Sequence, residues 1–246
     1  FLTRQALPRR AGLMDQPFSL TVGLMLPHPP YVARREDYER YADRMTPPRK
    51  PRAFADETHP FLRWWREYTE NQEMTDEEVL RSRAAYWALV YRTDVMIGQI
   101  LDALAANGFA DDTLIVYTSD HGDMQGEHGL CWKHVFYEES VRVPLIVNWP
   151  GVVAPGQRRD EVVSALDVTA TLLDGLSAPA LPNSPGRSLL PLIDGRSDPP
   201  AWENVAFSEY CTDQFGPPEG AYQRMIRREE WKLVYYHWQP PQLFNL

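Results

Sequence analysis

The chain has 246 residues, more than the roughly 100–150 of a common single domain, so one large α/β unit or a domain with a smaller appendage is expected. Hydrophobic residues make up 43% and charged residues 24%, with 8 Trp and 12 Tyr, which excludes a disordered or collagen-like chain. Twenty-five Lys and Arg against 34 Asp and Glu leave a net charge of −9, which argues against general nucleic-acid binding because that needs a cationic surface.

Phe18 to Leu26 is an apolar, β-branched run ending in Pro27-His28-Pro29-Pro30, and it predicts a buried strand that delivers a loop carrying His28. Val32 to about Thr75 is polar, aromatic and punctuated by proline, which predicts a long surface excursion able to shape a pocket. Thr75-Asp76-Glu77-Glu78 is a capping box. Behind it Leu80, Ala84, Trp87, Tyr91, Ile97, Leu101 and Leu104 recur at helical spacing until Asn107-Gly108 supplies a stop. Thr113 to Thr118 predicts a short strand after that helix, the αβ half of a βαβ unit, and hence a parallel sheet. Val143 to Asn148 reads as a second buried strand, Leu166 to Leu176 as a helix and Ser188 to Ile193 as a helical turn. Asn204 to Ser208, Arg224 to Arg227 and Lys232 to Tyr236 read as strands of a small antiparallel sheet, with a boundary between residues 1–195 and 196–246.

Cys131 and Cys211 lack metal-ribbon spacing and are too few for a disulfide scaffold. The longest apolar runs fall far below the roughly 20 residues that cross a bilayer, so no transmembrane segment is expected. The chain opens on Phe1-Leu2-Thr3 and stops on Phe244-Asn245-Leu246 just after a strand-like run, so truncation at both ends is expected.

The densest chemistry is Ser119-Asp120-His121-Gly122-Asp123-Met124-Gln125-Gly126-Glu127-His128-Gly129, directly after the Leu114 to Tyr117 run. Ligands of open α/β sheets bind at strand carboxyl ends, where Asp120 and His121 can direct two donors at one cation while nearby glycines permit tight turns. The plainer alternative is an acidic loop with one structural histidine. Lys133 follows among apolar and aromatic residues, where an ammonium needs an anionic partner: Glu138, Glu139 or a substrate oxyanion. A loop histidine such as His28 is more often structural than catalytic, although an ordinary pKa of about 6.5 suits a general acid for a leaving-group oxygen.

Thr118 to Asp123, Gly126 to Gly129, Lys133, and Tyr137 to Val147 together resemble the C-terminal half of the type I sulfatase catalytic domain, in the alkaline-phosphatase-like superfamily. The outer segments agree: Leu26-Pro27-His28-Pro29-Pro30-Tyr31 resembles the family's substrate-side His loop, and Arg224 to Leu246 resembles its terminal sheet. The fold this implies is α/β, a mainly parallel sheet flanked by helices with a small C-terminal antiparallel sheet, the N-terminal strands lying outside this chain. Residue by residue, the resemblance makes Asp120 and His121 ligands of one divalent cation, has Lys133 contact the transferring group's oxygens, and has His28 assist departure of the ester oxygen. The implied substrate is a small-molecule or saccharide sulfate ester. His121 stands where many arylsulfatases carry Asn, and a nitrogen donor favours a manganese-like ion over an all-oxygen calcium cage.

The family's nucleophile, a formylglycine made from Cys or Ser in Cys/Ser-x-Pro-x-Arg, has no match here. Thr46-Pro47-Pro48-Arg49-Lys50 carries its Arg one place early, and neither Ser177-Ala178-Pro179-Ala180 nor Ser184-Pro185-Gly186-Arg187 has the right order. The expectation is a fragment of a sulfuric ester hydrolase whose nucleophile lies upstream and which is inactive alone. Alternatives are a phosphodiesterase or phosphonate monoester hydrolase of the same superfamily, favoured by the Asp120-His121 pair, or an inactive anion-binding module.

Overall fold

The computed structural model describes residues 18–50, 59–195, 201–211 and 222–246. They fall into two compact units, one within Phe1–Pro51 and Glu73–Thr113, the other within Arg52–Gln72 and Leu114–Leu246.

The first unit is organised by a 31-residue helix, α3 (Asp76–Ala106). Its capping box forms as the sequence predicts: the Glu78 amide donates to the Thr75 hydroxyl at 3.2 Å, and the Thr75 amide donates to Glu78 Oε2 at 2.8 Å. Gly108, at φ 76°, takes the left-handed position that ends the helix. A short helix, α1 (Arg35–Glu39), lies against α3. The contact is centred on Asp37, which is buried and accepts from Arg92 Nε at 3.2 Å. Trp87 and Leu101, part of the predicted apolar stripe of α3, are exposed, while Ala84, Ala88 and Leu89 are buried. Phe18 to Leu26 is not the buried strand expected. No described residue pairs with it in a sheet, and only Val22, Leu24 and Leu26 along it are even half-buried. Its β-branched composition supports a strand only where a neighbour offers a ladder.

The second unit opens with α2 (Pro60–Tyr68), in the segment expected to be a surface excursion. That expectation fails for these residues, because Phe61, Leu62 and Trp65 are almost wholly buried. The spacing i, i+1, i+4 behind Pro60 at the first helical turn was the available signal. Residues 51–58 of the same segment lie outside the described residues.

Strands β1 (Ile115–Thr118) and β2 (Leu145–Asn148) form a two-stranded sheet with Thr118 opposite Leu145. They pair antiparallel, so the parallel pairing expected of a βαβ unit does not occur between these two strands. The connection explains the difference: the Gly122 amide donates to Ser140 O at 2.7 Å, so the chain returns at the end where β1 finished and no crossover carries it back along the strand. Between these strands lies the short helix α4 (Glu138–Val141).

Helix α5 (Ala165–Gly175), capped by Ser164 and Asp167, and the turn α6 (Leu190–Ile193) follow as predicted. A meander completes the chain: β3 (Val205–Tyr210), β4 (Gln223–Arg228), β5 (Trp231–Tyr236) and β6 (Gln239–Asn245), antiparallel throughout and in sequence order. The resemblance placed Gln242 to Leu246 in the terminal sheet; β6 starts three residues earlier and takes in Pro240 and Pro241. As the outermost strand of the meander it tolerates the lost amides.

The core of this unit draws on three places at once. Phe61, Leu62 and Trp65 come from α2; Met124, Leu130, Val135, Phe136 and Tyr137 come from the loop after β1; Met225, Val234 and Tyr236 come from the meander. At about 1.5–3 kcal/mol per buried large apolar side chain, this cluster fixes the loop as part of the core. No helix among the described residues is long and apolar enough to cross a membrane.

Candidate functional site

The site grows from the carboxyl end of β1. Ser119 Oγ donates to His121 O at 2.9 Å, and the His121 amide donates to Asp120 Oδ1 at 3.0 Å, so the Asp120 carboxylate is pinned by its own turn. Its other oxygen, Oδ2, lies 3.5 Å from His121 Nε2. His121 Nδ1 sits 2.8 Å from Gly122 O; a carbonyl can only accept, so Nδ1 carries the proton and Nε2 presents its lone pair beside Asp120. A carbonyl on the far nitrogen is the usual second contact of a metal-binding imidazole. Two donors at cis positions on a first-row divalent ion or calcium stand about 3 to 3.5 Å apart, so the pair fits part of a cation site. Among the described residues no group of three or more His, Cys, Asp or Glu gathers in a way that could hold a metal. The Asp120 side chain is 84% exposed, open to further ligands.

Gly122 is obligatory at its position. A Cβ there would stand 2.1 Å from Glu139 O, because the backbones of 122 and 139–140 are in contact. Asp123 serves the loop: its Oδ1 accepts from the Gln125 amide at 3.1 Å, from Gln125 Nε2 at 2.8 Å and from the Trp132 amide at 3.2 Å. Gly126 at φ 88° then allows a 3-10 turn, Glu127–Gly129. Arg66 of α2 donates to His128 O at 2.9 Å, and the His128 ring stacks on Tyr137 at 3.9 Å.

Lys133 stands between two residues in left-handed conformation, Trp132 at φ 66° and His134 at φ 77°. The His134 ring packs edge-on against Trp65 at 4.7 Å and Tyr210 at 5.0 Å. Burial first, with the charges of Lys133 and His121 acting in the same sense, lowers the His134 imidazole to about 4. Asp120 and His121 thus meet at 3.5 Å, and Lys133 follows twelve residues later on the same loop.

Glu138, offered by the sequence as a partner for Lys133, is engaged elsewhere. Its Oε1 accepts from Lys232 Nζ at 2.8 Å, and its Oε2 lies 3.5 Å from Arg227. Lys232 is 1% exposed; burial pulls its ammonium below the ordinary value while the hydrogen bond it donates to Glu138 opposes that shift. Lys232, Gln223 and Arg66 escaped the sequence reading because only strand register and helix packing bring them to the loop.

His28 belongs to the first unit, on the turn after Leu26, with cis bonds before Pro27 and Pro30. Its amide donates to Met25 O at 2.9 Å, and its Nδ1 lies 2.7 Å from Pro29 O, which places a proton on that nitrogen. Cys131 is buried and Cys211 exposed, neither in a disulfide. Residues 212–221 lie outside the described residues.

Two family models match the chain: Sulfatase over residues 2–178, and N-sulphoglucosamine sulphohydrolase, C-terminal, over residues 126–246. Choline-sulfatase of Rhizobium meliloti (strain 1021) is 39% identical over 259 residues, covering 100% of this chain and 48% of that protein. Arylsulfatase K of Gallus gallus is 34% identical over 265 residues, covering 98% of this chain and 48% of that protein. Among solved structures, the phosphonate monoester hydrolase SpPMH from Silicibacter pomeroyi superposes with a TM-score of 0.78 at 30% identity, over 89% of this chain and 48% of that one. The chain thus spans about half the length of the relatives it matches. With its fold and most of its length matched in this way, the chain belongs to the sulfatase family of hydrolases, in the alkaline-phosphatase-like superfamily.

Proposed function

We propose that this chain is the C-terminal half of a sulfuric ester hydrolase, residues 1–195 belonging to its catalytic domain and 196–246 to a small C-terminal subdomain. The observation that carries the reading is the paired Asp120 Oδ2 and His121 Nε2, with Gly122 O fixing the imidazole tautomer and Lys133 on the same loop. Asp120 and His121 would hold one divalent cation, Ca2+ or Mn2+. When bound, that cation supplies charge neutralisation for the non-bridging oxygens of the reacting ester. The Lys133 ammonium binds and orients those oxygens, adding a second positive group where negative charge accumulates. His28 assists departure of the ester oxygen as its general acid. The nucleophile, a formylglycine, comes from a segment preceding this chain, so the 246 residues alone are expected to be inactive.

The substrate under this reading is a small-molecule or saccharide sulfate ester. A second reading, cleavage of phosphonate monoesters or phosphodiesters, is favoured by the likeness to SpPMH, since sulfate and phosphoryl groups present similar tetrahedral oxygens to Asp120, His121 and Lys133.

The test uses the complete protein with 4-nitrophenyl sulfate and 4-nitrophenyl phenylphosphonate as matched probes, together with metal analysis. Wild type is expected to release nitrophenol faster from the sulfate. Asp120→Ala is expected to lose its bound cation and at least about 100-fold in kcat/KM. A preference for the phosphonate selects the second reading. An unaltered Asp120→Ala variant, or a wild type that cleaves neither probe and no other sulfate or phosphonate ester, removes the hydrolase reading and leaves an anion-binding module.

A further inference from the structure

We infer that Gln223, on the first residue of β4, is a positioning residue for Lys133. The inference rests on the reading above, in which the Lys133 ammonium orients the reacting group.

The backbone that carries Lys133 is unusual on both sides. Trp132 at φ 66° and His134 at φ 77° are bulky residues in a region that L side chains enter only when their surroundings impose it. On the amino side the imposition comes from the loop itself: the Trp132 amide donates to Asp123 Oδ1 at 3.2 Å, and Trp132 O accepts from the Met124 amide at 2.7 Å. On the carboxyl side it comes from 89 residues further along the chain, where Gln223 Nε2 donates to His134 O at 3.2 Å.

Gln223 is built to hold that carbonyl still. Its side chain is fully buried, and its strand position between Tyr210 on β3 and Tyr236 on β5 fixes where the amide can point. Residues of its face, Met225 and Val234, are apolar core. An amide there carries a burial cost that a Leu or Met would avoid, and the bond to His134 O is what it obtains in return. The His134 ring, lodged against Trp65 and Tyr210, blocks the peptide from turning as a rigid body. Removing the amide donor frees the peptide between 134 and 135 to rotate, and the change reaches the Lys133 side chain through a single residue. A misplacement of about 1 Å at a group that meets the reacting centre can cost about 100-fold in rate.

The experiment is a double-mutant cycle on the complete protein with 4-nitrophenyl sulfate, or the phosphonate probe if that is the better substrate. Gln223→Met, which keeps length and removes the donor, is expected to lower kcat about 10- to 100-fold with KM within about threefold, while the circular dichroism spectrum stays that of wild type. Lys133→Ala combined with Gln223→Met is expected to be no slower than Lys133→Ala alone, because there is nothing left to position. Arg224→Ala, the next residue on β4 but exposed, controls for disturbance of the strand and is expected to match wild type.

A folded Gln223→Met with wild-type kcat overturns the inference, and so does a double variant slowed by the product of the two single effects. Should Gln223→Met fail to fold, Gln223→Glu carries the test: it donates to His134 O only when protonated, so its kcat relative to wild type is expected to fall as pH rises. A profile parallel to wild type overturns the inference. The Lys133→Ala variant separates the two claims. If it alone is fully active, the role given to Lys133 fails and Gln223 has nothing to position; if it is slow, only the Gln223 results judge the inference.

Discussion

At the scale of single residues, the loop after β1 divides labour cleanly between side chains that hold the loop and side chains that face outward from it. Asp123 and Asp120 are both carboxylates in one short run, yet Asp123 spends its Oδ1 on three donors of the loop, while Asp120 keeps Oδ2 beside His121 Nε2. The sequence put Asp120 and His121 forward from their place at the strand end, but the part Asp123 plays in holding the loop was not legible there, because it depends on the Trp132 amide nine residues further on. His134 offers a test at this scale. Its imidazole is lowered to about 4 in the folded chain against about 6.5 when unfolded. Between those values the unfolded chain binds a proton that the folded chain refuses, so the stability due to neutral His134 is complete above pH about 6.5 and is lost as pH falls toward 4. Unfolding free energies measured across that window, with a chelator present so that His121 is metal-free, are expected to decline for wild type. The decline is expected to be shallower for His134→Leu. Equal slopes would show that His134 titrates normally.

At the scale of elements, α2, the site loop and the β3–β6 meander share one core, and a charged contact sits within it. Lys232 of β5 reaches Glu138 at the start of α4, with Arg227 of β4 on the carboxylate's other oxygen. Glu138→Ala strips a buried ammonium of its partner and is expected to cost about 3 kcal/mol or more in urea unfolding. Lys232→Met leaves Glu138 with Arg227 and fills the space with an apolar chain, so its cost is expected to be smaller. The reverse order would mean that Arg227 does not compensate. Elements whose periodicity is local were readable from sequence: α3 with its capping box, α5, β3, β4 and β5. Elements whose burial depends on distant partners were not. α2 hid in a polar, proline-rich stretch, and Phe18 to Leu26 looked like a strand because its composition says nothing about whether a partner is present.

At the scale of the whole molecule, the meander buries one face and leaves the other apolar. Register places Phe207, Ile226, Leu233 and Leu243 in one row across all four strands, and Phe207, Leu233 and Leu243 are exposed, with Trp231 and Tyr235 exposed beside them on β5. A contiguous apolar band of this kind on a soluble surface favours association. The 246-residue chain produced alone is therefore expected to self-associate in sedimentation or light scattering, and Phe207→Ser with Leu243→Ser is expected to raise its monomer fraction. A monodisperse wild-type chain at tens of micromolar would contradict this.

The edge of the same sheet behaves differently. β6 carries Pro240 and Pro241, which cannot donate to a further strand, and the amino end of α2 covers it: His59 Nε2 donates to Pro240 O at 2.9 Å, and the Phe61 amide donates to Gln239 Oε1 at 3.0 Å. Strand-by-strand growth is thus blocked along this border by missing amides and by an occupied acceptor. Copies that meet through the meander meet face to face, which leads to small discrete oligomers rather than to fibrils templated from β6.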